Sequence, residues 1–144
     1  MAKILIVYHS QSGNTEKMAH AVYDGAVSSG ATVSMKKAPE TTAQDLLEHD
    51  IIIMGTANYF NREAGIMKDL FDRTFFDLKG KVDHKPYATF GSAGNGGDRG
   101  LNSLNALCDN LGLKKATDSV LAYREPTDEV ISACKGLGGK MAIL

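Results

Sequence analysis

Hydrophobic and polar positions follow two rhythms along this chain. Lys3-Ile-Leu-Ile-Val-Tyr8 is nearly continuous apolar, and Asp50-Ile-Ile-Ile-Met54 repeats the pattern. Short runs without alternation read as strands covered on both faces. Met18, Ala21, Val22, Gly25 and Ala26 recur at helical spacing, and Gly30 suits the end of that helix. Thr32-Val-Ser-Met35 alternates, as a less buried strand does, and a turn or two of helix follows near residues 43–47. Ile66, Met67, Leu70, Phe71 and Phe75 trace one helical face before a strand at Tyr87-Ala-Thr-Phe90, which ends at Gly91. Leu101, Leu104, Leu107, Cys108 and Leu111 form a helical stripe closed by Gly112, and Ser119-Val-Leu-Ala122 reads as a fifth strand. Pro126 fits the first turn of a last helix that buries Val130, Ile131, Cys134 and Met141. The Met and Phe stripes read as core.

The resulting order, βαβαβαβαβα, predicts an α/β fold: a doubly wound five-stranded parallel sheet with helices on both faces, joined by right-handed crossovers. Five strands in this length fit the order 2-1-3-4-5, in one domain spanning residues 1–144. The switch point then lies between strands 1 and 3, and ligands bind beyond the carboxyl ends there. Loops 9–15, 55–62 and 91–99 meet near that point, so any chemistry is expected in them.

Composition narrows the classes. The 144 residues carry 16 Lys+Arg against 17 Asp+Glu, a net charge of −1, without the basic excess of a nucleic-acid binder. The longest apolar runs are too short to span a bilayer. The N-terminus enters strand-like sequence directly, without a signal peptide's longer apolar region, which predicts a cytoplasmic protein. Cys108 and Cys134 form no C-x-x-C pair and read as small buried hydrophobes. His9, His20, His49 and His84 lack metal-ligand spacing, so no metal is expected.

The first loop, His9-Ser-Gln-Ser-Gly-Asn-Thr15, offers the hydroxyls of Ser10, Ser12 and Thr15, the side-chain amide of Asn14, and a turn at Gly13. No Lys or Arg occurs from 9 to 16. A helix N-terminus presents unsatisfied N–H groups and about half a positive charge, so these donors suit a terminal monophosphate held without a cation. The G-x-x-x-x-G-K-[ST] and G-x-G-x-x-G patterns are both absent. The bland alternative is a turn that only caps the helix. The second loop, Gly55-Thr-Ala-Asn-Tyr-Phe-Asn-Arg62, brings two adjacent aromatics. One of Tyr59 and Phe60 is expected to pack beneath the following helix and the other to stack on a planar ring. The third, Gly91-Ser-Ala-Gly-Asn-Gly-Gly-Asp98, is glycine-rich, so its backbone can pass close to a ligand.

Together these loops resemble those of the flavodoxin-like FMN-binding family. Ser10-Gln-Ser-Gly-Asn-Thr15 matches that family's [ST]-x-[ST]-G-x-T phosphate loop, and strand order and length match over essentially the whole chain. The third loop looks most like that of flavodoxin domains in di-iron flavoproteins. The second is similar to that of Trp-repressor-binding-protein-like quinone reductases. The resemblance implies non-covalent FMN, with its phosphate on Ser10, Gln11, Ser12, Gly13, Asn14 and Thr15. Its isoalloxazine would lie between Thr56, Ala57, Asn58, Tyr59, Phe60 and Asn61 on one side and Ser92, Ala93, Gly94, Gly97 and Asp98 on the other. The chain departs from the family in its near-neutral charge, in lacking an aromatic in the third loop, and in carrying Asn58 and Asn61 where several members have a glycine. Arg62 and Arg99 flank the ring loops, as solvated surface residues or as charges raising the flavin potential.

The leading functional expectation is an FMN electron carrier exchanging electrons with protein partners. An NAD(P)H-dependent FMN reductase of quinones or similar small acceptors is the alternative. No residue is assigned as a catalytic group. A receiver domain would need acids after strands 1 and 3, where His9-Ser10 and Gly55-Thr56 stand, and a low-molecular-weight phosphatase would need Cys and Arg in the first loop.

Overall fold

The computed structural model describes residues 2–144. Its strands are β1 (Lys3–Tyr8), β2 (Thr32–Lys37), β3 (Ile51–Ala57), β4 (Pro86–Ala93), β5 (Lys114–Lys115) and β6 (Val120–Tyr123). Its α-helices are α1 (Asn14–Ser28), α2 (Ala43–Glu48), α3 (Gly65–Leu78), α4 (Arg99–Leu111) and α5 (Asp128–Ala142). The sheet is parallel throughout, in the order β2-β1-β3-β4, and β5 and β6 both pair with β4. This is the doubly wound 2-1-3-4-5 arrangement, with its fifth strand made of two pieces.

Strand residues alternate between two cores, because successive side chains leave opposite faces of a sheet. Ile4, Ile6, Ile51, Ile53, Ala88 and Phe90 pack under α1 and α5, with Met18, Val22, Cys134 and Met141. Leu5, Val7, Ile52, Met54 and Tyr87 pack under α3 and α4, with Met67, Leu70, Leu104 and Cys108. Both cysteines are free and buried, one in each core, so the sheet separates them.

Several elements differ from the sequence expectation. The fifth strand is not one run at residues 119–122. Lys114 and Lys115 open it against Pro86 and Tyr87, and pairing resumes only at Val120. Pro126 lies before the last helix rather than in its first turn. Thr127 is the N-cap, and its hydroxyl accepts the Val130 N–H at 3.2 Å. β3 and β4 also run further than expected, through Gly55-Thr-Ala57 and Gly91-Ser-Ala93. Gly55 pairs with Tyr8 and Phe90 as a strand residue, and the position is glycine because the Phe90 ring occupies the space where a Cβ would stand. A glycine that signals a turn in sequence here signals close packing.

Helices α1 and α5 approach so closely that a Cβ on Gly25 would overlap the backbone of Lys135, and one on Gly138 would overlap that of Val22. Gly136, on the same helix, has open space around its missing Cβ. Gly25→Ala is therefore expected to lower stability by about 2 kcal/mol through overpacking. Gly136→Ala is expected to raise it by up to about 1 kcal/mol through helix propensity. Urea unfolding of the two variants checks the pair of signs.

Candidate functional site

In a parallel sheet with crossover helices, every strand's carboxyl end and every following helix's N-terminus share one edge. Five of those ends are occupied by helices here, and they are not equivalent. Helices α2 and α5 are capped by the hydroxyls of Thr42 and Thr127. Helices α1, α3 and α4, which leave the three candidate loops, carry no side-chain cap. Each uncapped helix leaves first-turn N–H groups without an intrahelical partner. Unsatisfied donors thus gather at the candidate site and not at the outer strands.

The first loop shows how this arises. Gly13 is the N-cap of α1 in the left-handed region, at φ 97°, and has no side chain to offer. The Ser10 hydroxyl, the nearest alternative cap, accepts the Gly13 N–H at 3.1 Å and so braces the loop rather than the helix. The loop is therefore not merely a capping turn. Its two ends are also joined: the Tyr8 hydroxyl donates to Glu16 at 2.8 Å, linking the end of β1 to the first turn of α1.

Between the loops lies an open cleft of about 200 Å³. Its walls are Gln11, Ser12 and Asn14 from the first loop, Ala57, Asn58 and Tyr59 from the second, and Ser92, Ala93 and Gly94 from the third. The sequence reading had named all nine. Asn58 ties the second loop to the third: its N–H donates to the Ser92 carbonyl at 2.8 Å, and its side-chain amide donates to that of Asn95 at 2.7 Å.

The remaining expected residues stand behind or beside the cleft. Ser10 and Gly13 brace the first loop as described. Thr15 is buried, with its hydroxyl 2.8 Å from that of Ser92. The buried Thr56 hydroxyl donates to the Ala57 carbonyl and accepts the Ala64 N–H, fixing the exit from β3. Phe60 and Asn61 form the tip of a tight turn, both at positive φ, closed by reciprocal bonds of 3.0 Å between Tyr59 and Arg62. Gly97 and Asp98 lead into α4.

The two aromatics divide as their chemistry requires. Tyr59 is half-buried against the α3 core, edge-on to His9 at 6.2 Å, and also lines the cleft. Phe60 is 98% exposed. Sequence reasoning missed Arg124, which follows β6 and closes the cleft beside the third loop. Its signal is positional: it is the first residue past a carboxyl strand end, the rule already applied to the other loops.

The electrostatics of the cleft are mild. Burial pushes the His9 imidazole below its ordinary pKa, which disfavours its charged form. Arg62 does not line the cleft; its guanidinium donates to Glu63 through Nε and Nη2, both at 3.2 Å. Burial alone would raise the Glu63 carboxyl. The Ser103 hydroxyl, at 2.5 Å, and Arg62 outweigh burial and hold it below the usual carboxylate range.

Comparison with known proteins agrees with this geometry. A model of the flavodoxin family matches residues 6–140. A flavodoxin of Aquifex aeolicus is 31% identical over 99% of this chain and 86% of its own length. Among solved structures, a flavodoxin from the domain Archaea superposes with a TM-score of 0.89 at 26% identity, covering 98% of this chain and 96% of that one. A two-electron reduced flavodoxin of Megasphaera elsdenii superposes at 0.84 with 25% identity, covering 98% and 99%. The chain belongs to the flavodoxin family, whose members carry electrons on a flavin. FMN is its cofactor. The cleft suits that group: it offers neutral hydroxyl, amide and uncapped N–H donors, and no carboxylate lines it.

The Tyr8–Glu16 bond gives the first loop a measurable pH signature. Burial, then the bond to Glu16, pushes the Tyr8 phenol up to about 12 from its ordinary 10.0. The unfolded chain loses this proton first, so the stabilising effect is complete below pH 10 and lost as pH rises toward 12. Tyr8→Phe is expected to remove roughly 2 kcal/mol of that alkaline loss. Unfolding measured between neutral pH and pH 12 checks whether the variant's profile is the flatter one.

Proposed function

We propose that this protein is a cytoplasmic carrier that moves electrons between protein partners on non-covalently bound FMN. In this reading residues 10–15 hold the phosphate: Gln11, Ser12 and Asn14 face it, while Ser10, Gly13 and Thr15 shape the loop. The ring lies between residues 56–61 on one side and Ser92, Ala93, Gly94, Gly97 and Asp98 on the other. The bound flavin supplies the redox chemistry; the protein supplies position, exposure and electrostatics.

The observation that carries the reading is the cleft shared by three loops whose helices are uncapped. Tyr59 supports one wall from the core, so that wall is preformed. Ser92 joins phosphate and ring halves, since its hydroxyl meets Thr15 and its carbonyl meets the Asn58 N–H. The exposed Phe60, at the tip of the second loop, favours protein partners over small acceptors. A solvent-exposed aromatic beside a redox centre is the kind of residue that anchors protein contacts.

The purified protein is expected to bind FMN more tightly than riboflavin, with a yellow complex. Ser12→Asp sets a carboxylate against the phosphate and is expected to weaken FMN roughly a hundredfold. Riboflavin affinity should hold. The chain with FMN is expected to show no catalytic turnover of NAD(P)H with a quinone. Steady-state assays check this, and rapid partner-free turnover would select the reductase reading instead.

A further inference from the structure

Arg124 is the one charged side chain lining the cleft among the described residues. It makes no hydrogen bond or ion pair through its guanidinium there. Its backbone is well anchored: its N–H donates to the Ala93 carbonyl at 2.9 Å. The next residue, Glu125, is held by Lys17 of the first turn of α1 at 2.9 Å. That ion pair has two effects. It links the segment after β6 to the first turn of α1, and it engages the carboxylate next in sequence to Arg124.

Arg124 also adopts φ 61°, the left-handed region that a residue with a Cβ enters at a cost. Asn and Asp tolerate that region and Gly accepts it freely, yet an arginine stands here. Strain kept at a site points to a role for the side chain that bears it.

We propose that Arg124 is the counter-ion of the FMN phosphate, supplying from the far end of the sheet the cation that the phosphate loop lacks. This rests on the reading of residues 10–15 as the phosphate site. The loop's own donors are neutral from Ser10 to Thr15, and the neighbouring cation, Lys17, is engaged with Glu125. Among the described residues lining the cleft, a phosphate dianion at the mouth of α1 therefore meets one unpaired positive charge, and it comes from the segment after β6. A guanidinium forms a planar fork that matches phosphate oxygens. The phosphate is then bound by two chain segments far apart in sequence, so its grip depends on the α1–α5 side of the fold being assembled.

The test titrates wild type, Arg124→Gly and Arg124→Lys with FMN and with riboflavin, following flavin fluorescence at low and at high salt. Glycine accepts the left-handed backbone, so Arg124→Gly is expected to fold at least as stably as wild type, which thermal melting records. It is expected to weaken FMN roughly tenfold at low salt and to leave riboflavin unchanged. The difference should shrink at high salt, and lysine should restore much of the affinity. Equal weakening of both flavins would overturn the proposal, because the side chain would then act on the ring or ribityl chain. So would an FMN affinity unchanged in Arg124→Gly. A wild type that binds riboflavin as tightly as FMN would instead overturn the underlying phosphate site.

Discussion

Parallel pairing of β1, β3 and β4 is the constraint from which the site follows. With the three strands in register, Tyr8, Gly55 and Phe90 stand side by side, and their chain exits leave from the same edge. Each exit must turn into a helix on one face or the other, so helix N-termini accumulate at that edge whether or not a ligand is present. What distinguishes the centre of the edge from its flanks is capping. Thr42 and Thr127 satisfy the outer helices from within the chain, while α1, α3 and α4 are left with donors to spare. Orphan N–H groups at a helix start attract anionic and polar ligands, and the start of α1, at Asn14, lies in the cleft itself.

Charge is then placed by removal as much as by addition. Arg62 is turned onto Glu63, Lys17 onto Glu125, and burial disfavours the charged form of His9. Each of the two cations is thereby matched by a carboxylate of its own. What remains is a field of neutral donors with Arg124 at one end. Directed hydrogen bonds of this kind fix the geometry of a polar ligand more than they shift its charge balance.

The cores explain why this edge is rigid enough to hold a ring. Phe90 fills the space above Gly55 on one face, and Tyr59 leans on the α3 core on the other. Asn58 reaches from the second loop to the third by backbone and side chain together. Phe60, in contrast, touches little, and the turn that carries it holds two non-glycine residues at positive φ. The same short segment thus has a fixed end that shapes the cleft and a free end that meets whatever approaches from solvent.

Strand order, helix faces and the three loops were legible in the chain because burial on both faces demands unbroken apolar runs, and an amphipathic helix demands its stripe. Ile51 to Met54 and Leu101 to Leu111 carry those patterns locally, so periodicity alone locates them. The phosphate-loop motif is local too, since six consecutive residues hold it. Gly55 and Gly91 were not legible as strand residues, because the reason for glycine at 55 is a ring thirty-five positions away. Nor was the split between β5 and β6, or the capping by Thr127 in place of a helical Pro126. Arg124 lies furthest from local pattern: its place in the cleft depends on β6 pairing with β4 and on its N–H meeting the Ala93 carbonyl. Sequence determined which segments become strands, helices and cleft-lining loops, because burial is written in neighbouring residues. Tertiary structure decided which charges are free and which residues close the cleft, because those depend on partners that only the folded sheet brings together.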